Sequence, residues 1–341
     1  MEQRLAQIRL GGAAAVGSEL AFAPVEVASN ASFMSMASGL AQMTDAASPT
    51  TGRSSDRAAP ASWHGVSTWA RALGGWGNFG SDGNAPTVST SVGGLMIGAD
   101  TAITDQWVVG AALGYASAWA QSPSSSVYGS NYQATAYTGW HAAPFFADAQ
   151  AGYTHADYTT RRSLSFGGLA QSAQGKPDGN NADVVLRAGL SLPVGPLLVE
   201  PSLGLDWYRL TRSGFNEAGA PTVGLSVASQ EIDVVQPSIG ARVASQFKAS
   251  SNLLVIPEAR VRYFHDVGDG TVPVTASLAS AGAPGGAFTT FAAYPGRDSV
   301  VVGGGVAAQT NSGMRLFVDY DAQLAGRMTA HAVTGGLRVT F

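Results

Sequence analysis

The chain has 341 residues, of which 43 are glycine, none is cysteine and only 12% are charged, for a formal net charge of −4. That balance gives no basic field for nucleic acid, the missing cysteine removes disulfide and thiolate chemistry, and no apolar run reaches the roughly 20 residues of a membrane-spanning helix. A chain this poor in charge either hides a very large core or alternates apolar with polar residues on a two-sided surface.

In chain order, residues 1–28 come first. Arg4 and Arg9 precede a small-residue stretch, and Ala21–Ala23 resembles a cleavage box. Glu19 interrupts the apolar region and Pro24 would follow the cut, so the segment reads better as a fragment of something longer than as a secretory signal. Over 29–45, Phe33, Met36, Leu40 and Met43 recur at helical spacing, with Ser29 or Asn30 placed to cap. The remaining faces are small: Ala31, Ser32, Ser35, Ala37, Ser38 and Ala41. A helix this slim fits inside a narrow barrel; it also fits the end of an upstream soluble domain. Residues 46–66 are a linker rich in Ser, Pro and Arg, without periodicity.

From 67 to 341 one pattern repeats: alternation of period two for about ten residues, then a turn. Trp107, Val109, Ala111, Leu113 and Tyr115 oppose Val108, Gly110, Ala112 and Gly114. Met314, Leu316, Val318, Tyr320 and Leu324 oppose Arg315, Asp319, Asp321 and Gln323. The segments start near residues 67, 90, 107, 130, 145, 182, 197, 231, 253, 298, 314 and 328, which predicts an all-β fold of about 12 strands, an even number as single-chain outer-membrane barrels require. Tight turns at 104–106, 142–144, 193–196, 248–252 and 311–313 alternate with longer connections at 77–87, 121–127, 161–181, 211–229 and 267–297, the last pair of strands being joined by the short 325–327. The asymmetry is that of a transmembrane, antiparallel up-and-down β-barrel with periplasmic turns and extracellular loops.

A soluble β-sandwich would have shorter strands, and a β-solenoid would show a fixed repeat, which is absent. Aromatics near the strand ends (Trp76, Phe79, Trp107, Trp119, Tyr132, Trp140, Phe145, Tyr158, Trp207, Phe247, Tyr263 and Phe341) are placed for interfacial girdles. Phe341 ends the chain in mid-strand, as expected if the last strand pairs with the first and leaves no open edge in lipid.

Charges on the faces opposite the lipid pattern must point into the lumen, because a charge facing lipid at mid-depth costs roughly 2–4 kcal/mol. They are Arg71, Asp148, Arg187, Glu200, Asp206, Arg242, Glu258, Arg260, Arg262, Asp319, Asp321 and Arg338. Such a lining keeps a pore wet and binds a polar helix or an unfolded chain; equally, its members can pair with one another and stiffen the wall.

The segment "STWARALGGWGNF" opening the barrel, the penultimate strand "MRLFVDYDAQLAG" and the terminal "VTGGLRVTF" resemble the translocator domain of type V autotransporters. The likeness covers residues 65–341 and, loosely, the upstream helix. It implies residues 1–28 as a passenger remnant or junction, 29–45 as a pore helix carrying Phe33, Met36, Leu40 and Met43, 46–66 as a periplasmic linker, and 67–341 as the barrel. It implies export of an N-terminal passenger across the outer membrane of a Gram-negative bacterium. It also implies that the barrel-assembly machinery reads Val333, Leu337, Val339 and Phe341. The expected surroundings are outer-membrane lipid and lipopolysaccharide, and the expected state is a monomer. Some members of that family cut the pore helix at an Asn–Asn step; here Asn30 is followed by Ala31, and Asn180–Asn181 lies ahead of a strand, so that cleavage is not implied.

No nucleophile elbow is present. His155 with Asp157 and His265 with Asp266 are pairs without a third catalytic partner, and the histidines lack metal-ligand spacing. The expectation is therefore no enzyme, metal or cofactor. The alternatives are an outer-membrane channel for small solutes, which would need no helix in 29–62, and an outer-membrane hydrolase, which would need a convergent catalytic set at the rim.

Overall fold

The computed structural model describes residues 66–81, 86–166, 169–268, 272–279, 286–292 and 294–341. The expected helix 29–45 lies outside these, as does its linker up to Val66. Alternating sequence gives twelve long strands in an antiparallel barrel. They are β1 (Val66–Phe79), β2 (Val88–Ala102), β3 (Trp107–Gln121), β4 (Ser125–Ala142), β5 (Phe145–Phe166) and β6 (Asp178–Leu190). The circuit continues with β7 (Leu197–Arg212), β8 (Gln230–Ser245), β9 (Leu253–His265), β10 (Asp298–Thr310), β11 (Met314–Ala325) and β12 (Met328–Thr340). The last strand returns to the first in unbroken register, from Ser67 opposite Thr340 to Phe79 opposite Met328. Closure leaves no edge to be solvated in hydrocarbon.

The turn end holds residues 103–106, 143–144, 191–196, 246–252 and 311–313 together with both ends of the barrel, where the Phe341 amide donates to the Val66 carbonyl. Gly195 and Gly313 take positive φ in two of these turns, where a side chain would be strained. At mid-depth the outer surface is aliphatic: Leu95, Ile97, Leu113, Leu203 and Ile239 are 58–65% exposed. Aromatic pairs border that band, with Trp107–Trp140 at the turn end (centroids 6.5 Å apart) and Trp119–Tyr128 (5.6 Å) and Trp76–His331 (5.5 Å) at the loop end. Two expected girdle members are not there. Phe79 and Tyr158 are 3% and 4% exposed and face inward, because each lies one residue out of phase with the outward set of its own strand.

The loop end differs most from expectation. The Ser/Pro-rich stretch at 121–127 reads as a loop, but only 122–124 leave the sheet, where the Ser122 amide donates to the Ser125 carbonyl at 2.8 Å and closes the turn. Most of 161–181 is strand as well: β5 runs on to Phe166 and pairs back with Leu169–Gly175. The connections after β7 and β9 build a second, four-stranded sheet from Phe215–Asn216, Leu225–Val227, Pro273–Leu278 and Phe288–Phe291. Leu225, Val227, Val274, Ala276 and Ala292 form its core.

Candidate functional site: the lumen wall

The sequence period of two sends alternate residues of every strand inward, and the inner half of the lumen collects the charges. On β6 and β7, Arg187 makes a bidentate pair with Asp206, which also accepts from Tyr208 Oη at 3.2 Å. From β7 to β9, Arg242 donates to Glu200 at 2.6 Å and to Glu258 at 2.7 Å, while Ser191 Oγ donates to the other oxygen of Glu200 at 2.7 Å. Arg242 and Arg260 are direct cross-strand neighbours, a repulsive placement that Glu258 resolves by accepting from both. Arg260 then reaches Asp321 at 2.6 Å and Asp319 at 3.2 Å on β11.

That last reach crosses a whole strand. In register, Gly303 lies between Arg260 and Asp321, and Gly305 between Glu258 and Asp319. A Cβ at either glycine would collide with the aspartate beside it. Bare backbone on β10 is therefore the condition for the pairs to lie flat across it. Fork-shaped guanidinium groups suit such two-oxygen partners, and the only lysines, Lys176 and Lys248, are outside this belt.

A second cluster straddles closure. Arg338 on β12 crosses β1 to make two bonds to Asp100 on β2, at 2.9 and 2.5 Å. Asp100 accepts from Tyr137 Oη at 3.0 Å, and Tyr137 accepts from Trp69 Nε1 at 2.8 Å. Arg71 lies over the Trp69 ring, 5.3 Å from its centroid. Arg262 donates to Ser202 Oγ at 2.9 Å and to Ser238 Oγ at 3.3 Å, and Asp148 sits opposite Arg187 on the neighbouring strand.

The outer half is chemically different. Phe79, Val92, Ala118, Val127, Ala156, Tyr158, Leu210 and Ala330 form one buried apolar collar along the inner faces of β12, β1–β5 and β7 at the loop end of the lumen. Sequence pattern does not announce it, because these are mostly small residues that leave no bulky stripe. Asp100 and Asp183 are also inward and buried but are absent from the expected lining. Asp100 stands near a turn, where parity is hard to assign, and Asp183 sits at the edge of a segment that reads as loop.

The histidine pairs fall apart as sites. His155 and Asp157 share the outer face, 3.7 Å apart, with His155 Nδ1 at 2.9 Å from Asn180. His265 faces outward to Asp298 at 2.8 Å, whereas Asp266 faces inward and accepts from Tyr294 at 2.9 Å. In that outer connection, burial first and the hydrogen bond to Asp266 second push the Tyr294 phenol well above its ordinary range.

A closed barrel with an aliphatic belt between aromatic rims and a charged interior is an outer-membrane protein. The family profile of the autotransporter beta-domain matches residues 68–321, and the chain belongs to that family. Among solved structures it is similar to the translocator domain of NalP from Neisseria meningitidis, with a TM-score of 0.70, 14% identity and coverage of 93% of this chain and 98% of that one. It is also similar to the beta domain of the Bordetella autotransporter BrkA, with a TM-score of 0.61, 19% identity and coverage of 81% and 100%. Among curated proteins, an extracellular serine protease of Serratia marcescens is 23% identical over 277 residues, which are 80% of this chain and 26% of that protein. Outer membrane protein B of Rickettsia conorii is 28% identical over 148 residues, 42% of this chain and 9% of its own length. The chain spans about a quarter of the protease it matches. It is an autotransporter translocator barrel of the Gram-negative outer membrane.

Proposed function

We propose that the barrel exports a passenger joined to its N-terminal side and then holds residues 29–45 in its lumen as a helix. The observation that carries this is the wall itself. Its carboxylates and arginines are turned on each other, so an unfolded chain of any sequence meets hydrogen-bonding surface without a fixed charge that would hold it. An apolar collar follows, which suits the stripe Phe33, Met36, Leu40 and Met43. The small residues Ser32, Ser35 and Ser38 would keep its other faces slim enough for the lumen.

Chain direction supports the same reading. The first strand begins at the turn end, beside Phe341, so a linker 46–66 arrives there and the helix N-terminus points to the loop end. Seventeen helical residues span about 25 Å, most of a hydrocarbon core. In this reading residues 1–28 join the helix to the passenger. Val333, Leu337 and Val339 on the lipid face of β12, with Phe341 just beyond its end, are the set presented to the barrel-assembly machinery. The finished barrel works as a monomer among outer-membrane lipid and lipopolysaccharide.

Single-channel conductance before and after deletion of residues 1–50, both with Glu217→Gln, which breaks its ion pair with Arg162 in the outer connections, tests the plug. A rise to a large, steady conductance is expected. Equal conductance would favour an open solute channel instead.

A further inference from the structure

The second sheet has its anchors on the inner faces of the barrel strands. Arg162 and Leu164 continue the inward set of β5 above the collar and are 1% and 2% exposed. What covers them is the connection after β7. Glu217 accepts from Arg162 Nε at 3.2 Å and from Nη2 at 2.5 Å, and one of its oxygens also takes the Leu225 amide at 2.9 Å. Ala220 and Val223 pack on Leu164 and Ala173. Gln174 and Ala218 exchange backbone bonds at 2.8 Å.

Three more tethers run the same way. Arg212, inward on β7, donates to the Ala228 carbonyl and lies over the Phe215 ring, 5.3 Å from its centroid. Gln230 on the inner face of β8 donates to the Pro273 carbonyl at 2.7 Å, and inward Asp266, just past β9, holds Tyr294 at 2.9 Å. The two long connections are joined to each other through Leu225–Val227 and Pro273–Leu278. A structure tied to the axis side of β5, β7, β8 and β9 lies over the mouth instead of flaring from the rim. On the opposite arc, 122–124 is a tight turn, and 326–327 meets the structure at its edge, where the Arg327 amide donates to the Pro295 carbonyl at 3.1 Å.

We propose that this sheet is a retractable lid over the outer mouth, latched by the buried Arg162–Glu217 pair, which closes behind an exported chain. The proposal rests on the export reading for its purpose, but the lid itself is testable alone. The latch suits a moving part. A buried ion pair is held only while both partners are in place, and separating them leaves a charge without its counter-ion. Gly175 supplies the seat: a Cβ there would run into the Phe215 ring.

The chain has no cysteine, so Ala156→Cys in the full 341-residue protein places one thiol in the collar beneath the latch. Intact cells are treated with a membrane-impermeant maleimide. Labelling of this collar thiol should be slow in the full chain and in one lacking residues 1–50, where no helix shields it; in the shorter chain it should be at least about tenfold faster when either Glu217→Gln or Gly175→Val is added, since each favours the open form by a different route. Heat-modifiable mobility on gels checks that each barrel has folded, and two independent variants keep the test decisive if one has not. In separate chains, Ala220→Cys places the thiol in the lid itself, and its labelling with and without Glu217→Gln reports whether the lid has lifted. Fast labelling of the collar thiol in the Ala156→Cys parent would overturn the proposal. So would a collar thiol that stays slow under Glu217→Gln in the chain lacking residues 1–50 when the lid thiol has become reactive under the same substitution. The lid is read on chains lacking residues 1–50 and the plug on chains carrying Glu217→Gln, so each failure is seen without the other's obstruction.

Discussion

Around the inner half of the lumen, from β7 to β11, arginines and carboxylates form a continuous belt that crosses bare glycine on β10. On the outer half, along β12, β1–β5 and β7, small apolar side chains and two inward aromatics form a collar that carries no charge of its own. The belt is stiff because each member's partner is itself held, so its geometry is over-determined. The collar is smooth, and nothing in it specifies a partner by charge. A translocation path needs both properties, a wall that stays open and a surface that does not select.

Substitutions in the belt should do the most damage. Asp321→Ala removes the two-point partner of Arg260 and leaves it Glu258 and Asp319; it should cost about 2–3 kcal/mol, read as a shift in urea midpoint for the barrel refolded in detergent. Gly303→Val keeps every charge but fills the space over which Arg260 and Asp321 meet. It should cost about 1–3 kcal/mol by overpacking, and Ala at the neighbouring outward Gly304 should cost less in the same assay. Val92→Ala in the collar should cost about 1 kcal/mol or less, since the collar borders a lumen that can relax. A collar loss equal to the belt loss would erase the distinction.

The smallest effect on the finished barrel is expected at its end. Phe341 is 79% exposed, and its amide ties it to Val66. Deleting it should leave refolding in detergent nearly normal while lowering the folded protein found in the outer membranes of cells. Equal losses in both assays would mean that the residue acts by packing.

Seven strand starts, at Trp107, Phe145, Leu197, Leu253, Asp298, Met314 and Met328, coincide with those read from alternation; a compact turn breaks the period sharply before all but Asp298, which follows Pro295 and Gly296. The starts of β4 and β6 fall earlier than alternation suggests, at Ser125 and Asp178, since small residues beyond the membrane carry no hydropathy contrast. The second sheet is largely illegible in the sequence. Leu225–Val227 is a strand only because Pro273–Leu278 arrives beside it from a distant connection, and three residues show no period of their own. The hairpin of Pro273–Leu278 with Phe288–Phe291 is better marked by alternation. Most lumen charges are readable from parity. Their pairing is not, because Arg260 meets Asp321 over a strand whose contribution is the absence of a side chain.

Whether this barrel carries a chain outward can be measured without a folded reporter. A short epitope with a protease site is fused ahead of residue 1, behind a secretory signal, in cells expressing the barrel. The epitope should be stained on intact cells and removed by added protease, while the barrel shows its heat-modifiable band. An epitope reachable only after the outer membrane is permeabilised, with the barrel folded and inserted, would contradict outward transport.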